Sequence, residues 1–254
     1  ELRARGGSLL RDLSEWEWEQ ASRASRASHR VDFGRCSESS SVTACVSEFA
    51  VAVLESMKKS LLLLMALAGF LHADVEPGQS APDFTLPNCE GKQTSLSDFK
   101  GKVVVLEWIN PGCPFVKKHY VSGNMQKLQK EAAEKGVVWI SICSSAPGKQ
   151  GHLAAADVAK SCAENGSQAT AYVLDEDGKV GRTYGAKRTP EMYVINAGGV
   201  LVYHGAIDDK KSPDPAEIAD AKNYVQAAVA ETLAGKPVSV PRTEAYGCSI
   251  KYGN

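Results

Sequence analysis

The chain has 254 residues, 43 % of them hydrophobic, and 29 basic side chains stand against 30 acidic ones for a formal charge of −1. That is apolar material for one ordinary core, and the balanced charge, with no basic stripe, excludes a polyanion-binding protein, so no nucleic-acid partner is expected. Seven cysteines are too widely spaced for a disulfide-framework mini-protein. No C-x-x-C, H-E-x-x-H or paired metal-knuckle spacing occurs, so no metal or cofactor is expected and each cysteine is judged alone.

Residues 1–56 contain "ASRASRASHR" and "CSESSSVTAC", Ser-, Arg- and Ala-rich text with little apolar periodicity to offset the entropy of ordering. They read either as a disordered extension or as an upstream segment that is not translated, with Met57 as the true start. Residues 57–73 have the layout of a cleavable signal peptide: Lys58 and Lys59, an apolar run from Leu61 to Leu71, then Ala73 at the cut. Leu71, at the minus-three position, is larger than the small residue preferred there. The apolar run falls short of the ~20 residues a membrane span needs, so no stable membrane anchor is expected. The product is then periplasmic or secreted. The mass of the native protein tests this start: retention of Cys36 and Cys45 refutes it.

The remaining 74–254 suits one domain. "FTLPNCEGKQTSL" predicts two short strands around a turn at Asn88 to Gly91, and "KVVVLEWI" a central strand buried on both faces. A helix follows with Pro114 at its first position and Cys113 at the N-cap, its apolar side of Val116, Tyr120, Leu128 and Ala132 interrupted near Gly123. "GVVWISI" is a second buried strand. Residues 150–164 read as helix and "TAYVLD" as a strand closed by the turn "DEDG". That turn has its glycine too early, and lacks the late glutamate, for a calcium loop. "EMYVIN" and "VLVYHG" form a hairpin through "AGG". A last helix runs from Asp214 as cap and Pro215 to the stop at Gly235. The order implies an α/β fold on a sheet mixing parallel and antiparallel strands.

Cys113 lies where a buried strand hands over to a helix. Unpaired amides and the positive helix end favour its thiolate, Lys117 one turn on adds a cation, and the flanking Pro111, Gly112 and Pro114 describe an exposed loop. The alternative is a buried cysteine acting as a small hydrophobe. Glu107, a carboxylate inside "VVVLEWI", either lies at a solvated margin of the strand or is kept for proton transfer with a raised pKa. His119 falls on a different helix face from Cys113, and His204 within a strand reads as structural.

"GQSAPDFTL", "LSDFKGKVVVLEW", the corner cysteine, "TPEMYVINAGGVLVYHG" and "YGCSIKY" together resemble the redoxin branch of the thioredoxin-like superfamily, in particular its peroxiredoxin-like proteins, from about Gly78 to Tyr252. The resemblance implies a thioredoxin-like fold: a central mixed β-sheet flanked by helices, with an N-terminal β-hairpin extension. Cys113 matches the nucleophilic cysteine of the thioredoxin dithiol, Glu107 the buried acid that relays its proton, and Thr189 with Pro190 the Thr-cis-Pro loop that pairs with an extended substrate. Val116 replaces the second cysteine, so a cycle closed within that motif is excluded. Asn110 stands where peroxiredoxins carry a threonine, and Arg188 is only an approximate counterpart of their arginine.

Turnover by a lone thiolate needs a second thiol. Cys248, in a glycine-flanked tail, leads the candidates; Cys143, at the end of a buried strand, is another; Cys89 and Cys162 read as incidental, and an external thiol reductant is a further source. The expected function is an exported thiol-disulfide oxidoreductase or peroxiredoxin-like antioxidant acting on a disulfide-bearing protein or a small oxidant such as peroxide. The alternative is a non-catalytic thioredoxin-like module binding a peptide or metal.

Overall fold

A computed structural model describes residues 74–253. The segments 1–56 and 57–73, with the signal peptide expected there, lie outside the described residues. The predicted N-terminal hairpin forms as β1 (Thr85–Pro87) and β2 (Gln93–Ser95), antiparallel with Leu86 opposite Thr94. Asn88 closes its turn, its Oδ1 accepting the amides of Glu90 at 3.0 Å and Lys92 at 2.9 Å.

The central sheet contains β3 (Val104–Trp108), β4 (Val138–Cys143), β5 (Ala171–Leu174), β7 (Glu191–Ile195) and β8 (Leu201–Gly205), in the order β5-β4-β3-β7-β8. The first three are parallel; β7 lies antiparallel to β3 and β8 antiparallel to β7. Every residue of β3, β4 and β7 is buried, the result expected of continuous apolar runs covered on both faces. Alternation splits them. Val105, Trp139 and Val194 join one core with Val116 of α1 (Pro114–Val121), Leu128 of α2 (Asn124–Glu134), Val158 of α3 (Ala155–Glu164) and Ala228 of α5 (Tyr224–Leu233). Leu106, Ile140 and Tyr193 join the other, with Tyr184 of α4 (Lys179–Tyr184) and Ile250 near the C-terminus. Glu107, two residues from Val105, therefore faces the α1–α2 side.

Gly123 (φ 75°) separates α1 from α2, as its place in the sequence predicts. The predicted final helix is corrected. Its start is a 3₁₀ turn, Pro215–Asp220, and α5 begins again at Tyr224. Asp208 and Asn223 form a bridge, Asp209 Oδ1 accepts the Lys222 amide at 2.9 Å, and Asn223 caps α5 by accepting the Gln226 amide at 2.8 Å. Those tertiary bonds outweigh local helix preference. The helix predicted over 150–164 starts only at Ala155. A two-stranded ribbon, β6 (Arg188–Thr189) with β9 (Cys248–Ser249), pairs outside the main sheet, and the sequence gives it no periodic signal. No helix among the described residues is long and apolar enough to cross a membrane.

Candidate active site

Strand β3 hands over to α1 through a corner built by Asn110. Its fully buried side chain accepts the Gly112 amide at 2.8 Å and donates to Gln150 O at 3.2 Å, while its carbonyl accepts the Cys113 amide at 2.9 Å. Cys113 is the N-cap of α1, and its carbonyl accepts the amides of Val116 at 3.1 Å and Lys117 at 2.9 Å. The corner expected from the sequence is there.

Its exposure is not. Cys113 is 0 % exposed, against the expected open loop. The reason lies outside the local sequence: β9 returns over the corner beside β6, with Cys248 opposite Thr189. The Cys113 thiol donates to Thr189 O at 3.1 Å, and the Thr189–Pro190 peptide is cis. Three distant segments thus meet at one sulfur.

Burial works against a Cys113 thiolate, but hydrogen bonds from the Cys248 side chain, the Thr189 side chain and the amides of Cys248 and Val116 outweigh it and hold Cys113 below the ordinary thiol range. Cys248 moves the other way, pushed up by burial and by the adjacent Cys113 sulfur. Of the two sulfurs, Cys113 is therefore the one that gives up its proton more readily. Lys117, expected from the sequence to favour this thiolate, is exposed, and the leading causes of the shift lie elsewhere. Its neighbour Lys118 is the buried lysine, donating to Lys210 O at 2.7 Å and lying 3.9 Å from Asp208 Oδ1.

The other cysteines stand apart. Cys143, buried at the end of β4, donates to Gly151 O at 3.5 Å. Cys162 is pushed up to about 11 by burial and by nearby Cys89, so it holds its proton. Among the described residues no group of three or more His, Cys, Asp or Glu side chains converges on a metal-sized site.

Glu107 is 0 % exposed, which removes the solvated-margin alternative. Its carboxyl accepts from Trp139 Nε1 at 2.8 Å, Ser141 Oγ at 3.0 Å, Tyr120 OH at 3.2 Å and Gln129 Nε2 at 3.4 Å. Burial raises its pKa despite these donors. Its partners lie on α1, α2 and β4; none is Cys113, and Tyr120 at the far end of α1 is the link toward that helix.

One residue beside the turn escapes a sequence reading. Glu191, directly after Pro190, accepts the amides of Lys187 at 2.7 Å and Arg188 at 2.8 Å through Oε2 and meets His204 Nε2 at 2.7 Å through Oε1. Both side chains are 5 % exposed, and His204 stacks on Tyr193 with ring centroids 4.2 Å apart. His204 is thus structural, as expected, but its structure is the turn that faces Cys113. The charged residue in "TPE", next to a strand buried on both faces, was the available signal.

Two neighbouring cysteines against a cis-proline turn, on this sheet order, define a thiol-dependent oxidoreductase of thioredoxin-like architecture. The chain belongs to the Redoxin family, whose sequence pattern matches residues 76–225. It is 27 % identical over 151 residues to thiol-disulfide oxidoreductase ResA of Bacillus thuringiensis subsp. konkukian, covering 56 % of this chain and 81 % of that one. It is 33 % identical over 150 residues to chloroplastic peroxiredoxin Q of Sedum lineare, covering 57 % and 77 %. A crystal structure of a hypothetical protein from Sinorhizobium meliloti 1021 superposes with a TM-score of 0.61 at 26 % identity, over 71 % of this chain and 97 % of that one.

Proposed function

We propose that Cys113 is the nucleophile of a thiol-disulfide exchange cycle and that Cys248 is its resolving thiol. The observation that carries this reading is the cysteine pair at the turn: Cys113 donates to Thr189 O at 3.1 Å, Cys248 is paired opposite Thr189, and the two thiols are shifted in opposite directions, Cys113 down and Cys248 up. The Cys113 thiolate attacks one sulfur of a substrate disulfide, a Cys113–substrate bond forms, and the other substrate sulfur leaves as a thiolate. Cys248 gives its proton to that leaving group and attacks Cys113, leaving a Cys113–Cys248 disulfide and releasing the second substrate sulfur as a thiolate that takes its proton from water. The substrate gains two electrons and two protons. An external thiol reduces the enzyme again. Thr189 and Pro190 hold the substrate backbone, and Glu107 serves as a buried proton store reached through Tyr120.

A second reading, reduction of a small peroxide, starts from the same thiolate and ends in the same disulfide with water as product. It has less support, because Asn110 is committed to the corner and Arg188 is exposed. The non-catalytic module is favoured only by the burial of Cys113, and a depressed thiol argues against it. We also propose export by the segment 57–73, on the layout of that sequence alone; the N-terminal mass of the exported protein checks it.

The test offers a small aromatic disulfide, and separately hydrogen peroxide, to wild type, Cys113→Ser and Cys248→Ser. Loss of Cys113 is expected to slow disulfide reduction by about a thousandfold or more. Loss of Cys248 is expected to stop the cycle at a Cys113 mixed disulfide visible by mass. Undiminished turnover in Cys113→Ser refutes the assignment.

A further inference from the structure

The last residues of the described chain do not trail from the domain but cross the site as a strap fastened at both ends. At one end the Tyr246 hydroxyl donates to Asp208 Oδ1 at 2.5 Å; its ring meets Phe115 edge-on at 5.9 Å and lies under Lys118 Nζ at 5.1 Å. At the other, the Tyr252 hydroxyl donates to Ala186 O at 2.7 Å, Arg182 covers its ring at 4.5 Å, and the Arg182 guanidinium donates to Gly253 O at 2.8 Å. Between these anchors the strap pairs with β6 as an extended peptide would. Cys248 is opposite Thr189, Ser249 opposite Arg188, and the Ile250 amide donates to Lys187 O at 3.1 Å.

Three side chains of the strap fit specific places. Tyr246, two residues before Cys248, fills the site beside Phe115 and Asp208. Ile250, two residues after it, is 9 % exposed and belongs to the core around Tyr184. Gly247, at φ 112°, runs so close that a Cβ there would collide with Thr189 O and press on Phe115. This is strand addition, in which backbone hydrogen bonds bind and alternate side chains select. The anchor is also incompletely satisfied: Asp208 Oδ2 is buried with no hydrogen-bond partner. Such an atom disfavours the closed state and regains water on opening.

We propose that the strap is a tethered substrate analogue, and that the enzyme's substrate is an extended disulfide-bearing polypeptide that displaces it, with an aromatic residue two before the attacked cysteine, glycine one before, and an aliphatic residue two after. This rests on Cys113 being the nucleophile. While the strap is closed Cys113 has no exposed surface, so substrate competes with the protein's own C-terminus for the Thr189 strand. The apparent affinity for substrate is reduced by the fraction of molecules that are open.

The test uses the full chain carrying Cys248→Ser, which keeps the strap but prevents resolution. A synthetic peptide copying residues 244–252, its cysteine in mixed disulfide with thionitrobenzoate, is compared with one in which the tyrosine and isoleucine flanking the cysteine are serine. Cys113 attacks the peptide cysteine sulfur, thionitrobenzoate leaves with the electron pair of the old bond, and its colour gives the rate. The copy is expected to react about tenfold faster than the control, and faster still when Tyr246→Ala vacates the anchor site. Tyr252→Ala loosens the opposite end and gives the same comparison if the first variant does not fold. Equal rates for both peptides, or no gain on loosening either end, overturn the proposal while leaving Cys113 as nucleophile. If neither peptide nor dithiobis(nitrobenzoate) reacts in any variant, the nucleophile assignment itself fails, and the proposal with it.

Discussion

At Cys113 two effects oppose each other. Burial disfavours the charged sulfur, while donors from Cys248, Thr189 and Val116 favour it, and the donors prevail. The Cys248 side chain is the first of these donors, so removing it should let the pKa climb. In a mass-resolved alkylation titration the wild-type Cys113 inflection is expected below the unperturbed ~8.5, and Cys248→Ala is expected to move it upward. A wild-type inflection at or above the ordinary value contradicts the thiolate assignment. The identity and corner position of Cys113 were legible in "NPGCPF". The source of its acidity was not: the cation expected at Lys117 is exposed, and the leading donors come from residues 248 and 189, far along the chain.

The Thr189–Pro190 turn is held by its successor. Glu191 binds two consecutive amides and one imidazole, so Glu191→Ala leaves the Lys187 and Arg188 amides and His204 Nε2 without their carboxylate. The expected outcome is a loss of about 2–4 kcal/mol of stability. Faster amide exchange confined to β6 and its β9 partner is expected with it. Unchanged exchange at Lys187 and Arg188 shows that the turn is held by something else. Among elements, the two buried strands, the Gly123 break and the hairpin were legible because periodicity and turn residues are local signals. The final helix was misread for the converse reason: Pro215 and Asp214 are good helix starters, yet Asp208 and Asp209, from the loop after β8, tie residues 222 and 223 into another path.

For the whole molecule, two buried titratable groups give stability an opposed dependence on pH. Burial lowers the His119 pKa from 6.5 to about 3, so as pH falls between those values the unfolded chain takes up a proton that the folded chain refuses, and stability is lost on the acid side. Glu107 acts in reverse. Its folded pKa is raised above 4.5, so above that pH the unfolded chain releases a proton that the folded chain retains, and stability is lost as pH rises. Glu107→Gln should remove the second loss alone. Thermal midpoints measured from pH 4 to 8 are expected to fall more with rising pH in wild type than in Glu107→Gln; parallel curves mean that Glu107 is not held protonated. The sequence flagged Glu107 as anomalous but left two environments open, because strand periodicity tells which face a residue takes and not what covers that face.

The sequence by itself determined the mixed α/β sheet, the buried strands and the helix cap at Cys113, since each depends on neighbours a few positions away; the proline turn was implied by the family resemblance. Only the tertiary structure decided that the C-terminal segment closes over Cys113 and that Cys248, not Cys143, stands beside it. The contacts responsible join residues 76 and 59 positions apart, between Cys113 and Thr189 and between Thr189 and Cys248. Contacts of that span leave no local periodicity, because they arise from how finished elements pack and not from how each one forms.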